Sequence, residues 1–487
     1  MLRPLFVAVL LAGLTGPALA KTDLLTVYEE ALANSADLAA ARADSMARQE
    51  ALPQARSQLL PNIGVGAGAA REHIDVDGAG SDSYNTHYYQ ASLTQPLFRA
   101  DRWFNYQAAK SVSEQARLEF SATQQGLILE VAQVYFNILR ASDDLATARA
   151  EEEAFERQLD QARERFDVGL SARTDVLEAL AGFDSSRAAR LTAQTNLDVS
   201  YQALTRLTNR EHALLVGMSH DLPVLPPVPA DIQQWVNTAA EQNLGLQASR
   251  LSVTSASETL RSSRSAYAPA VDAFVRYNNS HGGANFGGSA GDPTAGAGGS
   301  GRGGDTELTS FGVELTLPLF TGGATTSQVR ESTYRLTQAE HQSESQLRQV
   351  VENTRNLYRT VTSSVEEVEA RRQAIISAKA ALDATQTGYE VGTRNVVDVL
   401  EAQRNLFRSV RDYNTVRYNY IIDNLSLKQS AGTLSPEDLV DLSQWLNPDY
   451  NPDRDFIPPF TEEEAQRMSL GRQAPASADE RRMRSAF

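Results

Sequence analysis

The stretch Phe166-Asp-Val-Gly-Leu-Ser-Ala-Arg-Thr-Asp-Val-Leu-Glu-Ala179 has a second form in this chain, for 223 residues later the sequence reads Tyr389-Glu-Val-Gly-Thr-Arg-Asn-Val-Val-Asp-Val-Leu-Glu-Ala402. A second motif behaves in the same way: Leu93-Thr-Gln-Pro-Leu-Phe98 returns 222 residues later as Leu315-Thr-Leu-Pro-Leu-Phe320. Two motifs that recur in one order at one spacing indicate tandem duplication of a unit of roughly 200 residues. The fold is therefore expected to contain two copies of one pattern.

The two ends of the chain are predicted to lie outside these copies. Arg3 precedes a short apolar run, and small residues follow up to Ala20, an order that is typical of a secretory signal peptide. The tail from Asn447 is rich in proline and charge, which predicts disorder. We therefore divide the chain into a signal peptide (1–20), repeat 1 (21–225), repeat 2 (226–446) and a disordered periplasmic tail (447–487).

The composition excludes several classes of function. The chain has no cysteine, which rules out disulfides, thiol catalysis and zinc–thiolate sites. Its net charge is −16, with 61 acidic and 45 basic residues, and this argues against nucleic-acid binding. No nucleophile elbow, Walker loop or Rossmann fingerprint follows a predicted strand. We therefore predict neither an enzyme nor a cofactor.

Each copy is predicted to contain a helix, two strands and two further helices. The helices are expected over 24–57, 102–168 and 172–208, and again over 231–266, 325–391 and 395–431. Alternating residues predict strands at 62–69, 84–98, 271–277 and 311–317, with loops at 71–83 and, rich in glycine, at 282–304. As the turn between two strands of a membrane barrel, the second loop would face outside the cell. The long helices should each extend about 100 Å, which matches two of the shorter helices placed end to end.

The strands leave two alternatives open. Beyond Lys21 the chain has no run of 18 apolar residues, so a membrane crossing would have to use strands. Four strands cannot close a membrane barrel, because the smallest have about eight. Either the strands form a small soluble sheet, or several chains contribute four strands each to a shared barrel. The polar and apolar alternation favours the shared barrel.

The paired Pro-Leu-Phe ends of strands, the paired Val-Gly helix breaks and the stretch Tyr389–Ala402 resemble the TolC family of outer-membrane exit ducts. The resemblance extends over nearly the whole chain to about Leu446. It implies an α+β membrane protein: a homotrimer with a 12-stranded β-barrel in outer-membrane lipid, continued by a long α-helical coiled-coil tunnel across the periplasm. It also implies docking to an inner-membrane pump of ABC or RND type through a periplasmic adaptor protein.

The glycines of the repeated stretch are expected at the periplasmic tip. Gly169 and Gly392 lie where each long helix is followed by its return helix, and glycine suits a helix end that reverses the chain. Within the family resemblance these turns are the sites at which the adaptor docks. Arg394, Asp398 and Glu401 follow the second turn at spacings of four and three, which places them on one helix face.

The resemblance also assigns a gate to this tip. It implies a tether formed by Tyr389 and Arg394 with Thr174 and Asp175 on the receiving turn. It further implies an acidic ring around the aperture, formed by Asp398 and Glu401, and the second ring position is Glu here where the family usually has Asp. In a trimer such rings should raise some carboxylate pKa values and attract cations. The alternative is an ordinary exposed Arg–Asp pair of four-residue spacing.

Two functions follow from these patterns. The first is an outer-membrane duct that couples to an inner-membrane transporter, exports small molecules or unfolded proteins, and opens at the periplasmic tip like an iris. The second is a secreted trimeric coiled-coil protein, such as a surface stalk, without a pore. Helix reversals at two glycines favour the duct, because a stalk is expected to show one uninterrupted heptad pattern.

Overall fold

The computed structural model describes residues 21–76, 80–282 and 304–459 of the 487-residue chain. The predicted signal peptide, nearly all of the glycine-rich loop and residues 460–487 lie outside this described part. The described residues form long helices and one four-stranded sheet, so the predicted α+β fold is confirmed. Among these residues, no helix combines the length and the apolar character that a bilayer crossing requires.

The elements follow one another in the order that the sequence predicts. The helices are α1 (Leu24–Asn34), α2 (Ala36–Gln49), α3 (Ala51–Ser57), α4 (Ala100–Asp167), α5 (Arg173–Thr208), α6 (Ile232–Gln242), α7 (Leu244–Ser265), α8 (Ala324–Glu390), α9 (Val396–Ala431), α10 (Pro436–Ser443) and α11 (Pro452–Asp455). The strands are β1 (Asn62–Val76), β2 (Gly80–Phe98), β3 (Gly217–Met218), β4 (Ala270–Gly282), β5 (Gly304–Thr316) and β6 (Leu446–Asn447). The order of helix, strand pair and two longer helices occurs twice, which confirms the two repeats.

The long helices agree closely with the prediction. α4 has 68 residues and α8 has 67, and their return helices α5 and α9 have 36 residues each. Corresponding helices of the two repeats therefore have nearly the same length, as expected for a duplicated unit. Helices of this length in water depend on packing against other helices for most of their stability.

Two helices that the sequence predicts as continuous, 24–57 and 231–266, are divided in the structure. The first is interrupted at Ser35, whose hydroxyl accepts an N–H from the start of α2 at 3.2 Å. The second is interrupted at Asn243, whose side-chain amide donates to a carbonyl of α9 at 3.0 Å. Short polar side chains of this kind compete with the helical backbone for hydrogen bonds. A further division separates α2 from α3 just before Pro53, which cannot donate a helical hydrogen bond.

Contacts divide the described chain into two compact units. Unit 1 contains the chain up to Ala40, Ala122–Asn243 and the chain from Gln349, and unit 2 contains Ala41–Ser121 and Leu244–Arg348. Each unit therefore combines segments from both repeats. The boundaries of the repeats themselves, at 21–225 and 226–446, stay a prediction.

Unit 2 contains the sheet, whose strands are all antiparallel and lie in the order β1-β2-β4-β5. One row of directly opposed residues crosses all four strands and is entirely apolar: Ile63, Leu93, Val275 and Phe311. The next row, which points to the other face, is Gly64, Ser92, Arg276 and Ser310. In these two rows, one face of the sheet is apolar and the other is polar or carries no side chain. Phe311 is 82% exposed in the single chain, so no other described residue covers the apolar row there.

The loop predicted at 71–83 is mostly strand. Arg71–Val76 continues β1 and pairs with the start of β2, so that only residues 77–79, which lie outside the described part, remain between them. Tyr84 donates its hydroxyl to Glu72 at 2.8 Å across the two strands. The prediction was wrong because polar residues on both faces of an exposed hairpin hide the alternation that identifies a strand.

Unit 1 contains a well-packed core around α4, α5 and α9. Its largest fully buried side chains include Tyr135, Phe136, Phe155, Leu204, Met218, Arg417, Tyr418 and Ile421. The predicted disorder from Asn447 is wrong for the first part of the tail. Residues 446–459, here called the C-terminal segment, include β6 and α11, and Tyr450 and Phe456 are buried. Hydrogen bonds to side chains that are distant in sequence hold this segment, and proline content does not reveal them.

Candidate functional site at the helix-reversing turns

The first turn reverses the chain between α4 and α5 in unit 1. Gly169 has a φ of +76°, a left-handed conformation that glycine adopts without strain. Its N–H donates to the carbonyl of Phe166 at 2.9 Å, and the N–H of Leu170 donates to the carbonyl of Arg165 at 2.7 Å. This pair of bonds is the Schellman motif, which satisfies the last carbonyls of a helix. The predicted role of Gly169 as a helix-ending turn thus has a direct structural basis.

The second turn, between α8 and α9, has the same geometry. Gly392 has a φ of +82°, its N–H donates to the carbonyl of Tyr389 at 3.1 Å, and Thr393 donates to the carbonyl of Gly388 at 2.8 Å. Nothing lies within 4 Å of a Cβ built on either Gly392 or Gly169, so a left-handed backbone and not crowding selects glycine here. The two repeats therefore end their long helices by one mechanism.

The return helices also begin alike. Asp175 is the third residue of α5, and its carboxylate accepts the N–H of Ala172 at 3.3 Å. Asp398 is the third residue of α9, and its carboxylate accepts the N–H of Asn395 at 3.3 Å, while Asn395 accepts the N–H of Asp398 at 2.8 Å. These contacts form a capping box in the second repeat. An acidic residue is stabilising at this position because it lies near the positive end of the helix dipole.

The predicted tether and ring residues are only partly brought together within one chain. Arg394 approaches Asp398 at 3.8 Å, and its side chain is 60% exposed. Within the described part of the chain, Arg394 pairs with Asp398 and not with Thr174 or Asp175. Thr174 and Glu401 are exposed. The Arg–Asp pair is thus the ordinary exposed pair inside one chain, and a tether or ring that spans several chains stays a prediction.

Tyr389 lies in an apolar pocket beside the second turn. It is 6% exposed and packs in a cluster with Phe155 of α4 and with Val396, Val399 and Leu400 of α9. Its hydroxyl oxygen is buried without a hydrogen-bond partner in the described chain. Burial raises the pKa of Tyr389. The nearby guanidinium of Arg165 opposes this rise, while the carboxylate of Asp175 adds to it.

The sequence did not identify Arg165 as part of this site. Its guanidinium carbon lies 4.7 Å from the centre of the Tyr389 ring, which is within the range of a cation–π contact. The repeats did contain a signal. Arg165 lies four residues before Gly169, and the equivalent position before Gly392 is Gly388. A difference between otherwise matching positions indicates that the two turns contribute different side chains.

Apolar side chains project from both turns. Val168 and Leu170, which flank Gly169, are 69% and 71% exposed, and Val391, which precedes Gly392, is 69% exposed. These three exposed apolar side chains are available at the turns for contact with another molecule. No group of three His, Cys, Asp or Glu side chains among residues 21–76, 80–282 and 304–459 is arranged to hold a metal ion.

Comparison with known proteins identifies the family. The sequence matches the outer membrane efflux protein family over residues 27–210 and 235–433. It is 35% identical to the outer membrane protein TolC of Vibrio cholerae, covering 91% of this chain and 98% of that protein. It is 32% identical to TolC of Escherichia coli, covering 95% and 92%. The structure resembles the Campylobacter jejuni CmeC outer membrane channel with a TM-score of 0.70 and 18% identity, covering 92% and 90%. The chain therefore belongs to the outer membrane efflux protein family.

Proposed function

We propose that this chain is an outer-membrane exit duct for efflux or secretion whose gate is formed by the turns at Gly169 and Gly392. Family membership assigns it to the outer membrane and to the channels, not to the enzymes. The gate, the trimer and the partners go beyond that assignment. The observation that supports the gate is the repeated turn geometry, because two Schellman turns and two capping carboxylates occur in the segments that contain Asp175, Tyr389 and Arg394.

The sheet supports assembly with further copies of the chain. Its apolar face, with Ile63 72% and Phe311 82% exposed, suits contact with lipid, while the polar face suits contact with water. β1 and β5 are the outer strands of the sheet. Open strand edges are not tolerated in hydrocarbon. We infer that β5 of one chain pairs with β1 of the next, and that three chains complete a 12-stranded barrel.

The turns support docking of a second protein. The exposed side chains of Val168, Leu170 and Val391 offer small apolar projections at the ends of two helical hairpins. A periplasmic adaptor that links the duct to an inner-membrane pump of ABC or RND type would cover them. Gly169 and Gly392 contribute to docking indirectly, because the turn conformation at each glycine sets the direction in which the adjacent apolar side chains project.

The alternative of a poreless surface stalk has little support. The chain reverses at Gly169 and again at Gly392, so that helices pack side by side in hairpins and do not form one continuous rod. The match to the outer membrane efflux protein family also extends over most of the sequence. A sheet with one exposed apolar face would also be a liability in a soluble stalk.

The proposed gate predicts that Arg394→Ser opens the channel. A charge-assisted hydrogen bond between chains is worth roughly a ten-fold change or more in the ratio of open to closed states. Purified protein in a planar bilayer should therefore show small wild-type conductances that increase in the variant. Arg408→Ser is the control, because Arg408 is an exposed arginine further along α9.

Each outcome decides a separate part of the proposal. Equal conductance in wild type and Arg394→Ser would keep the duct and move the gate to other residues. An absence of channels from correctly folded, assembled wild-type protein would overturn the duct itself.

A further inference from the structure

The two repeats differ at the residues that precede their turn glycines. Three residues before the glycine, repeat 1 has Phe166, which is 43% exposed, and repeat 2 has Tyr389, which is 6% exposed. Four residues before it, repeat 1 has Arg165 and repeat 2 has Gly388. The equivalent aromatic rings thus have opposite environments, although the backbone turns are the same. The cause must lie in what covers Tyr389.

Arg165 covers the face of the Tyr389 ring, next to the apolar cluster that already surrounds this residue. The guanidinium lies 4.7 Å from the centre of the Tyr389 ring, and the two residues belong to the last turns of α4 and α8. The backbone of Arg165 is fixed at the same time, because its carbonyl accepts the N–H of Leu170 within the first turn. A contact between these two side chains therefore joins the end of one helical hairpin to the end of the other.

Gly388, the counterpart of Arg165 in repeat 2, makes room for Arg394 over the second turn. A Cβ on Gly388 would lie 2.8 Å from Cγ of Arg394, so a side chain there would displace Arg394 from the turn. The absence of a side chain at Gly388 lets Arg394 fold over the turn, while Tyr389 faces Arg165. The two duplicated turns thus differ in chemistry: Arg165 provides a cation at the first, and Tyr389 provides an aromatic ring at the second.

The contact between Arg165 and Tyr389 does not rest on a hydrogen bond. The hydroxyl of Tyr389 and Nε of Arg165 are both buried and have no hydrogen-bond partner in the described chain. The ring and the guanidinium are therefore joined through the ring face and not through a hydrogen bond. A cation–π contact is stronger where water is excluded, and the apolar cluster with Phe155, Val396 and Leu400 excludes it here.

We infer that Arg165 is a positioning residue of the gate, which latches the α8–α9 turn to the end of α4 within each chain by contact with the ring of Tyr389. The inference rests on the proposed function, since the latch acts on the proposed gate. It shares Tyr389 with the tether but differs from it, because the tether joins Tyr389 and Arg394 to Thr174 and Asp175, whereas the latch uses Arg165 and the face of the ring. If the channel opens by moving the α8–α9 hairpin away from α4, the contact between Arg165 and Tyr389 has to break in every chain.

The test begins with Arg165→Gln. Loss of the contact should raise the open-to-closed ratio in planar bilayers roughly three- to thirty-fold. Arg165→Lys, which keeps the charge but not the planar group, should lie between wild type and Arg165→Gln. Arg163→Gln is the matched control: it removes the same charge two residues away, where the side chain is 52% exposed and paired with Asp160 at 3.3 Å.

Double variants at position 389 show whether the aromatic ring of Tyr389 is the partner of Arg165. In Tyr389→Phe the ring remains, so Arg165→Gln should have its full effect there. In Tyr389→Leu the ring is lost, and Arg165→Gln should then add nothing. Channels are compared only for variants that are recovered as heat-resistant assemblies, and Arg165→Lys keeps the test available if Arg165→Gln does not assemble.

The outcomes separate the latch from the gate. If Arg394→Ser opens the channel and Arg165→Gln does not, the latch is wrong and the gate stands. If Arg163→Gln opens the channel as much as Arg165→Gln, the effect is one of charge and the latch is wrong. If neither Arg394→Ser nor Arg165→Gln changes a wild-type channel, the proposed gate itself has failed.

Discussion

Two adjacent aspartates on α4, Asp143 and Asp144, show how strongly single residues in unit 1 depend on their surroundings. Asp143 is 1% exposed and accepts hydroxyl bonds from Tyr418 at 2.8 Å and Tyr450 at 2.9 Å, with Arg417 at 4.0 Å. Burial raises its pKa, and the Arg417 charge and the two hydroxyls oppose that rise. A buried charge of this kind is tolerated because its partners are present.

Asp144 has no comparable set of partners. Burial, followed by the charge of Asp143, raises its pKa to about 6, although Arg140 opposes the rise. Its Oδ1 is buried without a hydrogen bond within the described residues. Because the pKa of the folded state lies above the ordinary value of 3.8, the folded protein is favoured below that value and loses this advantage as pH rises through about 6.

Asp144→Asn is therefore expected to stabilise the protein at neutral and alkaline pH. The gain at pH 8 should be about 1–2 kcal/mol, allowing for partial exposure, and should vanish near pH 4. Denaturation in detergent, followed by circular dichroism between pH 4 and 8, measures it. Asp143→Asn is the contrasting variant, since it leaves Arg417 without its countercharge and should destabilise by about 3 kcal/mol. A gain from Asp144→Asn that is the same at every pH would contradict the titration argument.

At the scale of elements, the C-terminal segment depends on contacts from distant parts of unit 1. Lys21 donates from Nζ to the carbonyls of Pro448 and Tyr450 at 2.6 and 2.7 Å, and β6 pairs with β3. A Cβ on Gly217 in β3 would lie 2.2 Å from the Tyr450 ring, so the ring packs directly on the backbone. These contacts stabilise a segment that is too short to fold by itself.

Tyr450 is the residue on which this packing depends most. Tyr450→Phe removes one donor to Asp143 and should destabilise by about 1–2 kcal/mol, whereas Tyr450→Ala also removes the ring and should cost about 3–5 kcal/mol. Thermal denaturation of the detergent-solubilised protein measures both changes. Tyr334→Phe, at a side chain that is 68% exposed on α8, is the control. Equal effects of Phe and Ala at position 450 would show that the ring contributes nothing.

The sequence predicted those elements that depend on neighbouring residues and missed those that depend on distant ones. Periodicity and the repeat located α4, α5, α8 and α9 almost to the residue, since these are properties of neighbouring residues. The turns at Gly169 and Gly392 were predicted for the same reason. The contact of Arg165 with Tyr389 and the order in 446–459 were missed, because both depend on residues that are hundreds of positions apart. Breaks at Ser35 and Asn243 were missed because a single side-chain hydrogen bond decides them.

At the scale of the whole molecule, the sheet explains why one chain is not sufficient. The apolar row that contains Phe311 and the neighbouring polar row that contains Arg276 lie on opposite faces, so these two faces require different surroundings. The outer strands β1 and β5 also present backbone groups that need partners. Further copies of the chain satisfy both requirements, because they continue the hydrogen bonding and keep the apolar face directed outward.

Phe311→Lys should therefore prevent assembly in the outer membrane, and Thr316→Lys should not. A lysine on the lipid face costs about 2–4 kcal/mol near the centre of the bilayer, and each of three chains would bear this cost. Phe311 belongs to the apolar row with Val275, whereas Thr316 lies on the opposite face of β5 and opposes Ala270. Fractionation of membranes and the yield of heat-resistant oligomer measure the outcome. Normal assembly of Phe311→Lys, together with loss of assembly in Thr316→Lys, would reverse the assignment of the two faces and place the apolar row inside the pore.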